Sequence, residues 1–249
     1  VLVRVEAIVI RSMDYGEGNK ILTLFSKEAG KIGVMARGAK KLKSRHTAIA
    51  QPFTHGEFVL FRTGQQMGSL NAGEIWNAYH RLREDLNKAA YASYLMELTE
   101  KTVGDNEPNA SLFEQLKGSL DAMDEGKDPQ IVLHIYEMKM LAIAGYRPVL
   151  DECVSCGAKD GPMWLSVSMG GTVCGRCRSA DVSAIPLPEG TLKLLRLFLG
   201  MDVRRLGRTE VKESTKSQLK QCIRQLLDAH LDVKWKARHF LDQMEKYGL

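Results

Sequence analysis

The sequence predicts an α+β chain, a five-stranded β-barrel followed by an α-helical domain with a cysteine-rich insert. Three observations carry this. Short apolar segments separated by turn residues fill the first 76 positions, a helical period takes over near residue 79, and four of the five cysteines crowd between 153 and 177.

The strand segments are 5–12, 21–26, 32–37, 57–62 and 69–76, all rich in Val, Ile, Leu and Phe. Turn residues divide them, at Asp14-Tyr15-Gly16-Glu17-Gly18-Asn19, Glu28-Ala29-Gly30 and Thr63-Gly64-Gln65-Gln66. Five strands in so short a span suit a small closed barrel. An SH3-like barrel fits the same pattern. The long gap between the third and fourth segments favours the OB type, and residues 1–78 are assigned to that domain.

Residues 79–249 are assigned to a helical domain. Leu82, Leu86, Ala90, Tyr94 and Leu98 predict one helix of more than four turns. Ser111-Leu112-Phe113-Glu114 reads as a capping box, with Leu112, Leu116, Leu120 and Met123 on one face behind it. Asp128-Pro129 supplies an N-cap and a proline at the first helical position. The helix that follows is apolar on nearly every side from Ile131 to Ile143 and ends at Gly145 and Pro148. Two more helices are expected, one through 192–199, the other after Thr215-Lys216-Ser217-Gln218 with Leu219, Cys222, Ile223, Leu226, Leu227 and His230 on one side. Cys222 on that face reads as a small buried hydrophobe.

Cys153-Val154-Ser155-Cys156 and Cys174-Gly175-Arg176-Cys177 are two C-x2-C pairs seventeen residues apart. Two thiolates from each pair complete the tetrahedron that zinc prefers, and four thiolates leave no open position for a reacting water. One structural Zn2+ is therefore expected on Cys153, Cys156, Cys174 and Cys177. A hairpin of 163–167 with 172–173 about Gly170-Gly171 gives the insert, about 150–180, the form of a zinc ribbon. The alternative, two redox dithiols, lacks a thioredoxin-like strand before either pair. Cysteines used this way point to a reducing, cytoplasmic compartment.

The net charge of +5 is unevenly spread, at +5 over residues 1–80, −4 over 81–150 and +4 over 151–249. Separate surfaces with separate partners are expected from such a division. No acidic residue lies between Glu28 and Glu57, a window holding Lys31, Arg37, Lys40, Lys41, Lys43 and Arg45. Placed beyond the third strand of an OB barrel, these cations read as a phosphate-binding segment with little base preference. Phe53, Phe58 and Phe61 are nearby stacking candidates, although alternation puts Phe58 and Phe61 on opposite faces.

Several chemistries lack their motifs. There is no G-x-x-x-x-G-K-[ST] loop, no third glycine after Gly16-Glu17-Gly18, no H-E-x-x-H and no G-x-S-x-G. His134 and His230 lie on or beside apolar helix faces and read as core histidines. No apolar run approaches the ~20 residues of a membrane span, and no leader peptide is indicated. A non-enzymatic nucleic-acid-binding protein is the expectation.

The residues also resemble a known family. Val5-Glu6-Ala7-Ile8-Val9-Ile10-Arg11, Asp14-Tyr15-Gly16-Glu17, Ile21-Leu22-Thr23-Leu24-Phe25, Arg37-Gly38-Ala39-Lys40-Lys41 with Ser44, and Gln51-Pro52-Phe53 are similar to the RecO family of bacterial recombination mediators. The segment 136–145, both cysteine pairs and Lys236-Ala237-Arg238-His239-Phe240-Leu241 follow in the family's order. The resemblance implies an N-terminal OB domain and a helical domain with a zinc-ribbon insert. It further implies binding of single- and double-stranded DNA, annealing of complementary strands, and loading of RecA, together with RecR, onto strands coated by single-strand-binding protein. The acidic C-terminal tail of that protein is an implied partner, and the nucleoid an implied place of work. Two other readings compete: a zinc-ribbon adaptor that binds only proteins, and a zinc-ribbon subunit of an RNA-processing or nuclease assembly.

Overall fold

The structure, a computed structural model, describes residues 1–208 and 210–248. Five strands open the chain: β1 (Leu2–Tyr15), β2 (Asn19–Ser26), β3 (Gly30–Ala36), β4 (His55–Phe61) and β5 (Gly68–Asn77). They close into a barrel in the order β1-β2-β3-β5-β4, in which only β3 and β5 run parallel. That order, with the long connection between β3 and β4, is the expected OB-type barrel. Alternation along β2 and β3 sends Leu22, Leu24, Ile32, Val34 and Ala36 inward, and a bulge in β1 between Val9 and Arg11 resets its register.

The β3–β4 connection is more than a loop. Its Ala39, Ile49 and Ala50 are buried in the same core as Phe58, Leu60 and Leu70. Gly73 makes room for this plug, since a Cβ there would stand 2.2 Å from Ile49 Cδ1. The connection returns to β4 through Phe53, a non-glycine residue in the left-handed region (φ 71°). Backbone bonds from Phe53 N to Val9 O and from Val9 N to Thr54 O, each 2.9 Å, hold it there. Arg83 adds a clamp, donating to Pro52 O (2.7 Å) and Thr54 Oγ1 (2.8 Å).

The helical segment after the barrel differs from the single helix expected. It is two, α1 (His80–Glu84) and α2 (Leu86–Thr102), parted at Asp85, whose backbone is extended and whose side chain accepts from Lys88 N. Leu86, counted in the apolar stripe, is exposed. α3 (Ala110–Asp124) is capped by Asn109, which accepts from Leu112 N, and Ser111 lies inside the helix instead of capping it. These helices cover outward-facing but buried barrel residues; Phe25, for example, meets Phe113 with ring centroids 6.1 Å apart.

α4 (Pro129–Ile143) begins as expected, with Asp128 accepting from Gln130 N and Ile131 N. It packs on α5 (Glu189–Gly200) and α6 (Glu213–His230). α6 starts ahead of Thr215, which lies inside its first turn. Cys222 is buried on its apolar face, and burial pushes its thiol up to about 11. His134 is a core histidine bonded to Glu137 at 2.8 Å, while His230 is half-buried and stacked on Tyr146. Between α4 and α5 a small sheet is ordered β7-β6-β8, from β6 (Met163–Ser166), β7 (Gly171–Cys174) and the unanticipated β8 (Ile185–Leu187). The last helix, α7 (Lys236–Tyr247), was not anticipated either. It lacks a side-chain cap of its own, and Glu97 of α2 accepts from Lys236 N and Ala237 N (2.7 and 2.8 Å).

The chain forms two compact units. One comprises Val1–Gly126 with Trp235–Leu249, so the barrel keeps α1–α3 and α7 with it; the other is Lys127–Lys234. No helix among the described residues is long and apolar enough to cross a membrane.

Candidate nucleic-acid interface and metal centre

Arg37, Lys40, Lys41, Lys43 and Arg45 are brought together on the β3–β4 connection, and all five are exposed. Its fold is fixed from both sides. Lys40 N donates to Gly18 O of the β1–β2 turn (3.1 Å), and Gly38 N to Asn19 Oδ1 (2.9 Å). Thr47 Oγ1 donates to Ala39 O (2.9 Å), and Arg45 Nη2 reaches Asn71 O on β5 (3.0 Å). The buried ring of His46 lies against Arg37 O and Asn71 O. A cationic segment on so anchored a base has little freedom to lose on binding, which favours association.

Lys20 of β2, which precedes the acid-free window between Glu28 and Glu57, joins this group. Lys40 and Lys20 flank Asp14 at 3.0 and 3.1 Å and hold its carboxyl below the usual range, with the Lys40 bond the larger cause. Lys41 and Lys43 have no ion-pair partner among the described residues. Of the aromatic candidates, Phe58 and Phe53 are buried and Phe61 is exposed.

Lys31 is placed elsewhere. It sits at the opposite end of β3 from Arg37, with its ammonium on Glu100 O (2.7 Å) and Asp105 Oδ1 (3.1 Å). It borders a groove of about 530 Å3 on the outer face of the barrel, lined also by Arg11, Ile21, Thr23, Gly33 and Met67. Arg11 there pairs with Glu100 at 2.6 Å, and Lys27 with Glu114 at 2.8 Å. The acidic stretch of the sequence thus neutralises barrel cations that face the helices, and leaves those of the β3–β4 connection to solvent.

The four expected cysteines converge in the small sheet's unit. Their sulfurs all lie within 4.8 Å of one another, and Cys156 Sγ stands 3.7 Å from Cys174 Sγ. None is in a disulfide. A tetrahedron with metal–sulfur distances of about 2.3 Å has edges of about 3.8 Å, so the donor set fits one such ion. Each pair lies in a tight turn, closed by Gly157 N to Cys153 O (2.8 Å), where Gly157 has φ 73°, and by Cys177 N to Cys174 O (3.0 Å). Burial alone pushes the Cys153 thiol up, but backbone N–H groups of Cys174, Cys156 and Ser155 outweigh it and bring it down to about 6. Cys177 moves the other way. Although the Ser155 hydroxyl opposes this, its sulfur neighbours and burial take it up to about 11. Four sulfurs within 4.8 Å repel one another as thiolates, and a cation among them would relieve that repulsion.

Family comparisons agree with this layout. Residues 1–79 match the model described as Recombination protein O N terminal, and residues 83–239 match Recombination protein O C terminal. A protein of Halalkalibacterium halodurans named DNA repair protein RecO is 44% identical over 245 residues, 98% of this chain and 96% of its own length. One of the same name from Bacillus mycoides is 45% identical over 246 residues, 99% of both chains. The chain belongs to the RecO family of DNA repair proteins. The two RecO models meet between residues 79 and 83, where Tyr79 turns the chain from barrel to helix through a left-handed conformation (φ 49°).

Proposed function

We propose that this RecO-family chain is a non-catalytic mediator of DNA repair and homologous recombination. On this reading it binds single- and double-stranded DNA, anneals complementary strands and, with RecR, helps load RecA onto DNA coated by single-strand-binding protein. The observation that carries it is the exposed, anchored cluster of Arg37, Lys40, Lys41, Lys43 and Arg45. Cations of this kind neutralise phosphates and release counterions whatever the sequence. A strand held by its backbone keeps its base edges free to pair, and two strands so held anneal. Lys31 plays a lesser part, because Glu100 and Asp105 already engage its ammonium.

Cys153, Cys156, Cys174 and Cys177 would hold one structural Zn2+, which supplies folding free energy to the ribbon and no reaction step. Contact with the acidic tail of single-strand-binding protein and a place on the nucleoid belong to the same reading.

The test is strand annealing with complementary oligonucleotides, bare and coated with single-strand-binding protein. The pure chain is expected to accelerate both without hydrolysing ATP or cutting DNA. A chain that binds neither single nor double strands would leave the protein-only adaptor, and metal-dependent cleavage would point to a nuclease subunit.

A further inference from the structure

Leu42 occupies the tip of the basic connection, between Lys41 and Lys43, with a relative exposure of 103%. Single exposed leucines are ordinary on protein surfaces. This one differs in its setting. Other large apolar residues exposed on the barrel strands, such as Tyr15 and Phe61, retain close to half their accessible surface (54% and 55%). Leu42 gives up none.

Nor does its exposure come from a loose chain. Lys41 N donates to Gly38 O at 3.0 Å and Ser44 N to Lys41 O at 2.9 Å, so two successive turns meet at Lys41, with Leu42 and Lys43 central in the second. Thr47 Oγ1 closes the base on Ala39 O and Lys41 O. Central turn positions favour Pro, Gly, Asn, Asp or Ser. Nothing in the local fold calls for a leucine, and no buried neighbour receives it.

We infer that Leu42 is an apolar wedge that inserts between neighbouring bases of a bound strand while the lysines beside it hold the flanking phosphates. The inference rests on the proposed DNA contact of this segment and adds how the bases are handled. Apolar side chains carried into nucleic acid by flanking cations part base steps in this way. Insertion touches base faces and leaves the pairing edges open, which is compatible with annealing.

Two variants of the full chain separate the wedge from the reading it rests on. The probe is a single strand carrying 2-aminopurine, whose emission rises when it is unstacked. Wild-type protein should raise that emission. Leu42→Ser should abolish the rise and weaken binding by roughly tenfold or more, the size expected for an apolar side chain largely removed from water, with an unchanged salt slope. Leu42→Phe should restore both signals. If Leu42→Ser keeps either the emission rise or wild-type affinity, while replacing Lys40, Lys41, Lys43 and Arg45 by Ala weakens binding, the wedge alone fails. If that fourfold variant still binds like wild type, the DNA contact of the segment fails and the wedge with it.

Discussion

At the scale of single residues, the sulfur cluster makes the sharpest demand. Cys153 lies well below an ordinary thiol, at about 6, and Cys177 well above it, at about 11. A bound cation would remove this conflict by fixing all four as thiolates, so metal binding and folding of the ribbon are linked. Purified protein should hold one zinc per chain, and Cys153→Ser should lower both zinc content and the melting temperature. The pH dependence has a definite sign. Protons compete with the metal for thiolate, so occupancy should fall as pH is lowered from 8 towards 5, as read by a colorimetric chelator. A folded, metal-free wild-type chain, or release favoured at high pH, would contradict this. The clustering of the four cysteines was legible in their spacing alone. The division among the DNA candidates was not, because Lys31 and Arg37 lie six residues apart in sequence yet at opposite ends of β3, and Lys20 joins the cluster only through Asp14.

At the scale of elements, short-range chemistry set most boundaries. The Asp128-Pro129 start of α4 was readable because cap and proline are local signals. Asp128 also pairs with Lys216 of α6 at 2.6 Å. Asp128→Ala should therefore cost about 1–2 kcal/mol in urea unfolding, the range for a lost N-cap with some pairing added; a loss under a few tenths would show that the cap is dispensable. The break between α1 and α2 was hidden because Leu82, Leu86 and Ala90 keep a helical period across it. Asp85 ends one helix and caps the next, and periodicity does not register that. β8 is three residues long with Pro186 at its centre, tolerable in an edge strand but no signal of one. In α7 only Leu241 and Met244 are buried, too few for a stripe, and its N-terminus is capped by Glu97 from far away in sequence. Contacts that join distant segments are what local patterns omit.

At the scale of the molecule, the charge division acquires a structural meaning. Acidic residues of the 81–150 stretch pair with Arg11, Lys27 and Lys31 on the barrel, while the cations from Arg37 to Arg45 lie on an exposed connection where Lys40 meets Asp14 and Lys41 and Lys43 face solvent. A net charge of +5 understates the positive potential at that one site. The basic segment is an outgrowth of a core plug formed by Ala39, Ile49 and Ala50, so the side chains of Arg37, Lys41 and Lys43 are separable from stability, while Lys40 and Arg45 add surface contacts to Asp14 and Asn71 O. Replacing Lys40, Lys41, Lys43 and Arg45 together by Ala should leave helical content and zinc content unchanged, since exposed substitutions usually shift stability by less than about 0.5 kcal/mol each. The most direct measurement is the slope of log K for single-stranded DNA against log salt, in wild type and in this fourfold variant. Each lost phosphate contact removes about 0.7 from the slope, so the variant should be shallower by up to roughly 3 units and weaker on every sequence alike. An unchanged slope with intact annealing would show that the segment is solvated surface and that DNA binds elsewhere.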